Sequence, residues 1–137
     1  MNPASSTLRV GVIGFGQWGP NHVRNFRAID GCDLARVCDT SPTRLALARK
    51  QFRDLDVTTD PAAITQAADV DAVVIATPVQ SHFALVQQAL EAGKDVLCEK
   101  PLAATVDECR ALCDLAAARR RLLMVGHVFI YNPSVHH

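Results

Sequence analysis

The chain has 137 residues, long enough to bury a core as one domain, and is 49% hydrophobic and 20% charged, the balance of a globular rather than a disordered protein. Fourteen basic residues balance fourteen acidic ones, so neither nucleic acid nor an anionic membrane surface is an expected partner. The longest apolar runs fall far short of the roughly 20 residues of a membrane span, and "MNPASSTLR" lacks the layout of a signal peptide, which together predict a cytoplasmic protein with a disordered lead-in over residues 1–7.

"LRVGVI" (8–13) is a continuous apolar run of strand length, and "QWGPNHVRNFRAI" (17–29) sets Val23 and Phe26 at helical spacing with Pro20 early in the helix. "CDLARVCD" (32–39) reads as a second strand. "SPTRLALARKQF" (41–52) reads as a second helix, with Ser41 as N-cap and Pro42 at its first position. A short strand near Val57 precedes a helix opened by "DPAAI" (60–64) and capped by Asp60, and "DAVVIAT" (71–77) has the strongest strand signal of all.

The alternation continues. "QSHFALVQQALEAG" (80–93) puts Phe83, Val86 and Leu90 on one helical face and ends on Gly93 as C-cap. "KDVLCE" (94–99) is a strand. "TVDECRALCDLAAARR" (105–120) opens with the capping box Thr105-x-x-Glu108 and is expected to turn Val106, Cys109, Leu112, Cys113 and Ala116 inward. "RLLMVGHVF" (121–129) is expected as the last strand. Strand–helix repetition with buried-looking strands predicts a doubly wound, mostly parallel α/β sheet of about six strands, forming one domain over residues 8–128. The five cysteines are expected as reduced thiols. Cys109 and Cys113 share a helix side, but no second pair completes a metal-ligand set.

The run "GFGQWG" (14–19) follows the first strand and opens the first helix, which is the context a phosphate-binding glycine loop needs. Gly14 serves the tight turn, Gly16 the close approach of a pyrophosphate, and Gly19 the packing of helix on strand. Phe15, Gln17 and Trp18 complete the loop, with Trp18 either over the pyrophosphate or closing the helix start. Asp39, at the tip of the second strand about 20 residues on, is placed to accept the adenosine ribose hydroxyls. A carboxylate there favours NAD and repels the 2′-phosphate of NADP. Arg44 is expected to be a solvated helix residue, and His22 to lie on the surface.

"GFGQWG", "CDTSP" (38–42), "ATPVQSH" (76–82), "CEKPL" (98–102) and "VGHVFIYNP" (125–133) together resemble the N-terminal domain of the glucose–fructose oxidoreductase, inositol dehydrogenase and MocA family, from Leu8 onward. The Glu99-Lys100-Pro101 tripeptide is the most specific element, and "GHVFIYNP" is similar to members that oxidise nucleotide-linked or acidic sugars. The resemblance implies hydride transfer between NAD and a hydroxyl carbon of a sugar, sugar nucleotide or polyol. It further implies that Thr77 and Pro78 line the cofactor cleft, and that Lys100 touches the nicotinamide ribose and handles the hydroxyl proton. By the same resemblance Glu99 orients Lys100 or faces the nicotinamide, and His82 contacts the cofactor or makes a structural hydrogen bond. His127 either approaches substrate or caps the sheet. Family members continue into a second domain that supplies the substrate pocket, so residues 129–137 are expected to begin the crossover to it, and this chain alone is expected to bind cofactor without turnover. The apolar tail makes a second copy of the chain a further candidate partner. A non-catalytic NAD-sensing or scaffold module, and an S-adenosylmethionine-dependent transferase, stay open as alternative readings.

Overall fold

A computed structural model describes residues 7–135, so all but the last residue of the expected lead-in over residues 1–7, and the last two residues of the chain, lie outside it. Six parallel strands form one sheet: β1 (Leu8–Ile13), β2 (Cys32–Cys38), β3 (Val57–Thr58), β4 (Ala72–Ile75), β5 (Asp95–Glu99) and β6 (Leu123–Gly126). Their spatial order is β3-β2-β1-β4-β5-β6. The helices between them are α1 (Gly19–Ala28), α2 (Pro42–Gln51), α3 (Ala62–Thr65), α4 (His82–Glu91) and α5 (Val106–Arg119).

Alternate residues of a strand face opposite sides of the sheet, and the central strands are apolar on both. Val74 joins Val10, Val12 and Val37 in a core under α1 and α2, where Val23, Ala48 and Leu55 close it. Its neighbours Val73 and Ile75 face the other way, into a core with Ile64 of α3, Val86 and Leu90 of α4, and Leu112 and Ala116 of α5. The crossovers after β1 and β2 thus cover one face, and those after β3, β4 and β5 the other. That change of side opens a crevice at the carboxyl ends of β1 and β4, where sheets of this order receive ligands.

Local signals act as the residue types suggest. The Ser41 hydroxyl caps α2 by accepting from the Arg44 N–H, Asp60 Oδ1 accepts from the Ala62 N–H at 2.9 Å, and Thr105 and Glu108 make both bonds of the capping box. Gly93 ends α4 at φ +77°, and Lys94 donates to the carbonyls of Ala67 and Val70 beneath the sheet edge.

Two expectations need correction. On α5, Val106 and Cys113 are exposed, and the inward stripe is Cys109, Leu112, Leu115 and Ala116. The bulkier Leu115 takes the core position, and the helix phase follows it. The last strand stops at Gly126, not at 129. His127 lies beyond it and is exposed, and Val128–Tyr131 and Pro133–Val135 form short 3-10 turns whose Phe129, Tyr131 and Val135 face outward. Among the described residues, no helix is long and apolar enough to cross a membrane.

Candidate functional site

The glycine loop is shaped by what surrounds it. Gly14 has φ +102°, and a Cβ there would stand 2.5 Å from the carbonyl oxygen of Ala76 at the end of β4, so only glycine fits. Its N–H is fixed to the carbonyl of Cys38 at 2.8 Å. A Cβ on Gly19 would collide with the Gly14 carbonyl, which lets α1 begin directly against the loop. Gly16 differs. A Cβ there would meet nothing nearer than Arg44 Nη1 at 4.0 Å, so the position is open because it fronts the cleft, not because the fold is tight.

No side chain caps α1, and its first turn carries no acidic residue. The leading N–H groups of a helix have no intrahelical partners and sit at the positive end of its dipole, so this loop offers donors and a field to an anion. The cleft in front has a volume of about 800 Å³. It runs from Asp39 and Arg44 at the β2 end, past Gly16 and Trp18, to Thr77 and Pro78 after β4 and to Glu99 and Lys100 after β5.

Asp39 is only 6% exposed and stands just beyond β2, at one end of the cleft. Its Oδ2 accepts from the Phe15 N–H and its Oδ1 from the Ser41 N–H, both at 2.8 Å. The carboxylate therefore fixes the glycine loop to the start of α2. Arg44 corrects the expectation of a merely solvated residue: its Nη1 reaches to 3.6 Å from Asp39 Oδ2 and it lines the cleft. Cys38 forms part of the cleft floor, and burial, more than the adjacent Asp39 charge, pushes its thiol up to about 11.

Of the expected loop residues, Gly14, Gly16, Gln17 and Trp18 line the cleft, while Gly19 is buried at the start of α1 outside its lining. Phe15 does not. Its ring is 2% exposed and packs edge-on to Phe52, so only its backbone serves the site, by holding Asp39. His82 also stands behind the cleft wall. It is 1% exposed, with Nδ1 2.8 Å from the Pro101 carbonyl and Nε2 2.8 Å from the Thr77 carbonyl. The imidazole therefore sits between the loops that carry Thr77 and Lys100, with an N–H to donate to one of these carbonyls, and it is outside the cleft lining. The Lys100–Pro101 peptide is cis.

Glu99 and Lys100 both line the cleft, but no ion pair joins them among the described residues. Glu99 instead pairs with His22, whose Nε2 lies 2.7 Å from Oε1 with the two side chains 16% and 11% exposed. This corrects the surface placement of His22. Its offset of three from buried Gly19 puts it on the inward stripe of α1, a signal the spacing carried. His127 lies outside the cleft lining. Among the described residues, no group of three or more His, Cys, Asp or Glu is gathered to hold a metal ion.

A family model described as "Oxidoreductase family, NAD-binding Rossmann fold" matches residues 8–127. The chain belongs to this family. Inositol 2-dehydrogenase 1 of Saccharopolyspora erythraea is 40% identical to it over 131 residues, covering 93% of this chain and 39% of that protein. Among solved structures, scyllo-inositol dehydrogenase from Lactobacillus casei with bound NAD(H) and scyllo-inositol superposes with a TM-score of 0.85 at 28% identity, over 95% of this chain and 39% of that one. Biliverdin reductase from Synechocystis sp. PCC 6803, in complex with biliverdin and NADP+, superposes at 0.87 with 30% identity, over 91% and 39%. The chain thus spans about two-fifths of the length of these oxidoreductases, and its fold is the nicotinamide-dinucleotide-binding one of the family.

Proposed function

We propose that the cleft holds NAD in preference to NADP, and that the chain serves as the cofactor domain of a dehydrogenase acting on a CH–OH carbon of a polyol, sugar or sugar nucleotide. The observation that carries this is the alignment of three features along one cleft: buried Asp39 at one end, the bare Gly16 position before an uncapped helix in the middle, and Lys100 at the other end. A Cβ at Gly16 would project into the space a pyrophosphate takes, so the residues present fit a dinucleotide.

When bound, the nicotinamide supplies a two-electron hydride acceptor or donor. The chain's own residues do the rest. The Gly16–Gly19 amides and the α1 dipole hold the pyrophosphate charge, and Asp39 accepts from the ribose hydroxyls of the adenosine half. Lys100, exposed at the end of β5, is within the chain's reach to hold or move the proton of a substrate hydroxyl. His82 keeps the Thr77 and Pro101 backbones at a fixed separation, so that Lys100 is offered from a rigid wall. Arg44 tempers the preference for NAD, since it brings a cation to the same end as the Asp39 carboxylate. The five free thiols fit the reducing interior of a cell.

Titrating the purified chain with NADH, NADPH and S-adenosylmethionine tests this reading. Stoichiometric NADH binding, at least about tenfold tighter than NADPH, a gap of roughly 1.4 kcal/mol, supports it. Binding of S-adenosylmethionine alone, or of none of the three, overturns it.

A further inference from the structure

The His22–Glu99 pair carries more than a packing role. Glu99 is the last residue of β5, and its carboxylate is 11% exposed, yet it lines the cleft next to Lys100. His22 Nε2, from the first turns of α1, lies 2.7 Å from Oε1; with a carboxylate as acceptor, this nitrogen bears the proton. On the other side the backbone of β6 closes in, so that a Cβ on Gly126 would come within 3.2 Å of Oε2. Among the described residues no Lys or Arg forms an ion pair with Glu99. A neutral imidazole leaves the pair with one net negative charge, held in a mostly dry wall, and such a charge is unfavourable until something cationic faces it.

Strand order says where that charge falls. Asp39 ends β2 on one side of β1, whereas Glu99 ends β5, beyond β4 on the other side. A dinucleotide with its adenosine ribose at Asp39 and its pyrophosphate before Gly16 has only its nicotinamide half left to extend toward Glu99. The oxidised nicotinamide ring is a cation and the reduced ring is neutral.

We infer that Glu99, aimed by His22, makes this cleft discriminate between the two redox forms of the nicotinamide, favouring the oxidised one. The inference rests on the dinucleotide reading above and extends it. Glu99 acts through charge on the cofactor, and His22 is a positioning residue. The neighbouring Lys100 ammonium opposes the effect, so the net preference of the native chain is smaller than the carboxylate alone would give.

The test is the ratio of dissociation constants for NAD+ and NADH, measured by calorimetry on the full 137-residue chain at pH 8, with circular dichroism to establish folding. Glu99→Gln keeps a group that can bond His22 but removes the charge. It is expected to shift the ratio against NAD+ by roughly tenfold, the order of a single unit-charge interaction near a protein surface. His22→Ala is expected to shift the ratio in the same direction by a smaller factor, and His22→Gln, which restores an N–H donor near the same place, to return it toward the native value. A purely structural pair would weaken both forms equally, so an unchanged ratio in a folded Glu99→Gln chain that still binds NADH overturns the inference and leaves the dinucleotide reading intact. Failure of the native chain to bind either form overturns both.

Discussion

Replacing Gly16 by valine separates the fold from the cleft, because at this position the two make opposite demands. A Cβ at residue 16 meets nothing nearer than Arg44 Nη1 at 4.0 Å, an ordinary van der Waals contact with the end of a flexible side chain, and Gly16 is not among the glycines with positive φ. The folded chain should therefore change in stability by no more than about 0.5 kcal/mol, or about 2 °C in Tm. The valine methyl groups would stand where the pyrophosphate must approach, and NADH affinity should fall at least about 100-fold, roughly 2.7 kcal/mol. Gly14→Ala is the contrast. There φ is +102° and the new Cβ would lie 2.5 Å from the Ala76 carbonyl, a backbone atom just beyond β4, so this substitution should cost more than about 3 kcal/mol of stability. Thermal unfolding by circular dichroism gives the stabilities, and calorimetric titration with NADH gives the affinities. A folded Gly16→Val chain that binds NADH as tightly as the native one would refute the phosphate-cradle reasoning.

Three further outcomes follow from other parts of the molecule. Asp39→Ala should narrow the affinity gap between NADH and NADPH, and Arg44→Ala should widen it, as measured by paired titrations, because the two groups stand 3.6 Å apart with opposite charge at one end of the cleft. Asp71 accepts from the Arg9 guanidinium and from the Arg9 backbone N–H, bonds that hold its carboxyl below the usual range. The stabilisation from that pair is thus present above the ordinary carboxylate pKa of about 4 and disappears as pH falls through the lowered value. Asp71→Asn should lower Tm at pH 7 and converge on the native Tm in acid. Burial pushes the Cys98 thiol up to about 12 and the Cys38 thiol up to about 11, while Cys113 is exposed on α5, so mass spectrometry after brief alkylation should find Cys113 modified, with Cys38 and Cys98 reacting only once the chain unfolds.

The glycine loop, Asp39 and the strand–helix alternation were legible in the sequence because each depends on neighbours close along the chain. Ser41 and Thr105 cap helices within three residues of themselves, Asp60 accepts from the Ala62 N–H just ahead of α3, and the apolar runs of β1 and β4 announce central strands whatever lies beside them. What escaped depends on distance or on competition. His22 and Glu99 are 77 residues apart and meet because α1 and β5 flank the same crevice. Arg44 turns back to Asp39 because α2 starts only where the Asp39 carboxylate has already fixed the Ser41 N–H. The phase of α5 differs from the expected one because Cys113 and Leu115 flank the same inward stripe, and the larger apolar side chain packs against the core. His82 was recognised as a residue of the site, but its retreat behind the wall is set by two carbonyls, of Thr77 and Pro101, that no spacing rule reveals.

The most direct measurement for the central claim is a titration of the isotope-labelled chain with NADH, followed amide by amide in a heteronuclear NMR spectrum. The account expects saturable shifts at Gly14, Gly16, Gln17 and Trp18, at Asp39 and Thr40, and at Thr77 and Lys100, all approaching saturation with a single dissociation constant. Shifts confined to the smaller groove between α2 and β3, lined by Leu45, Arg49 and Thr58, or no shifts at any NADH concentration, would contradict it.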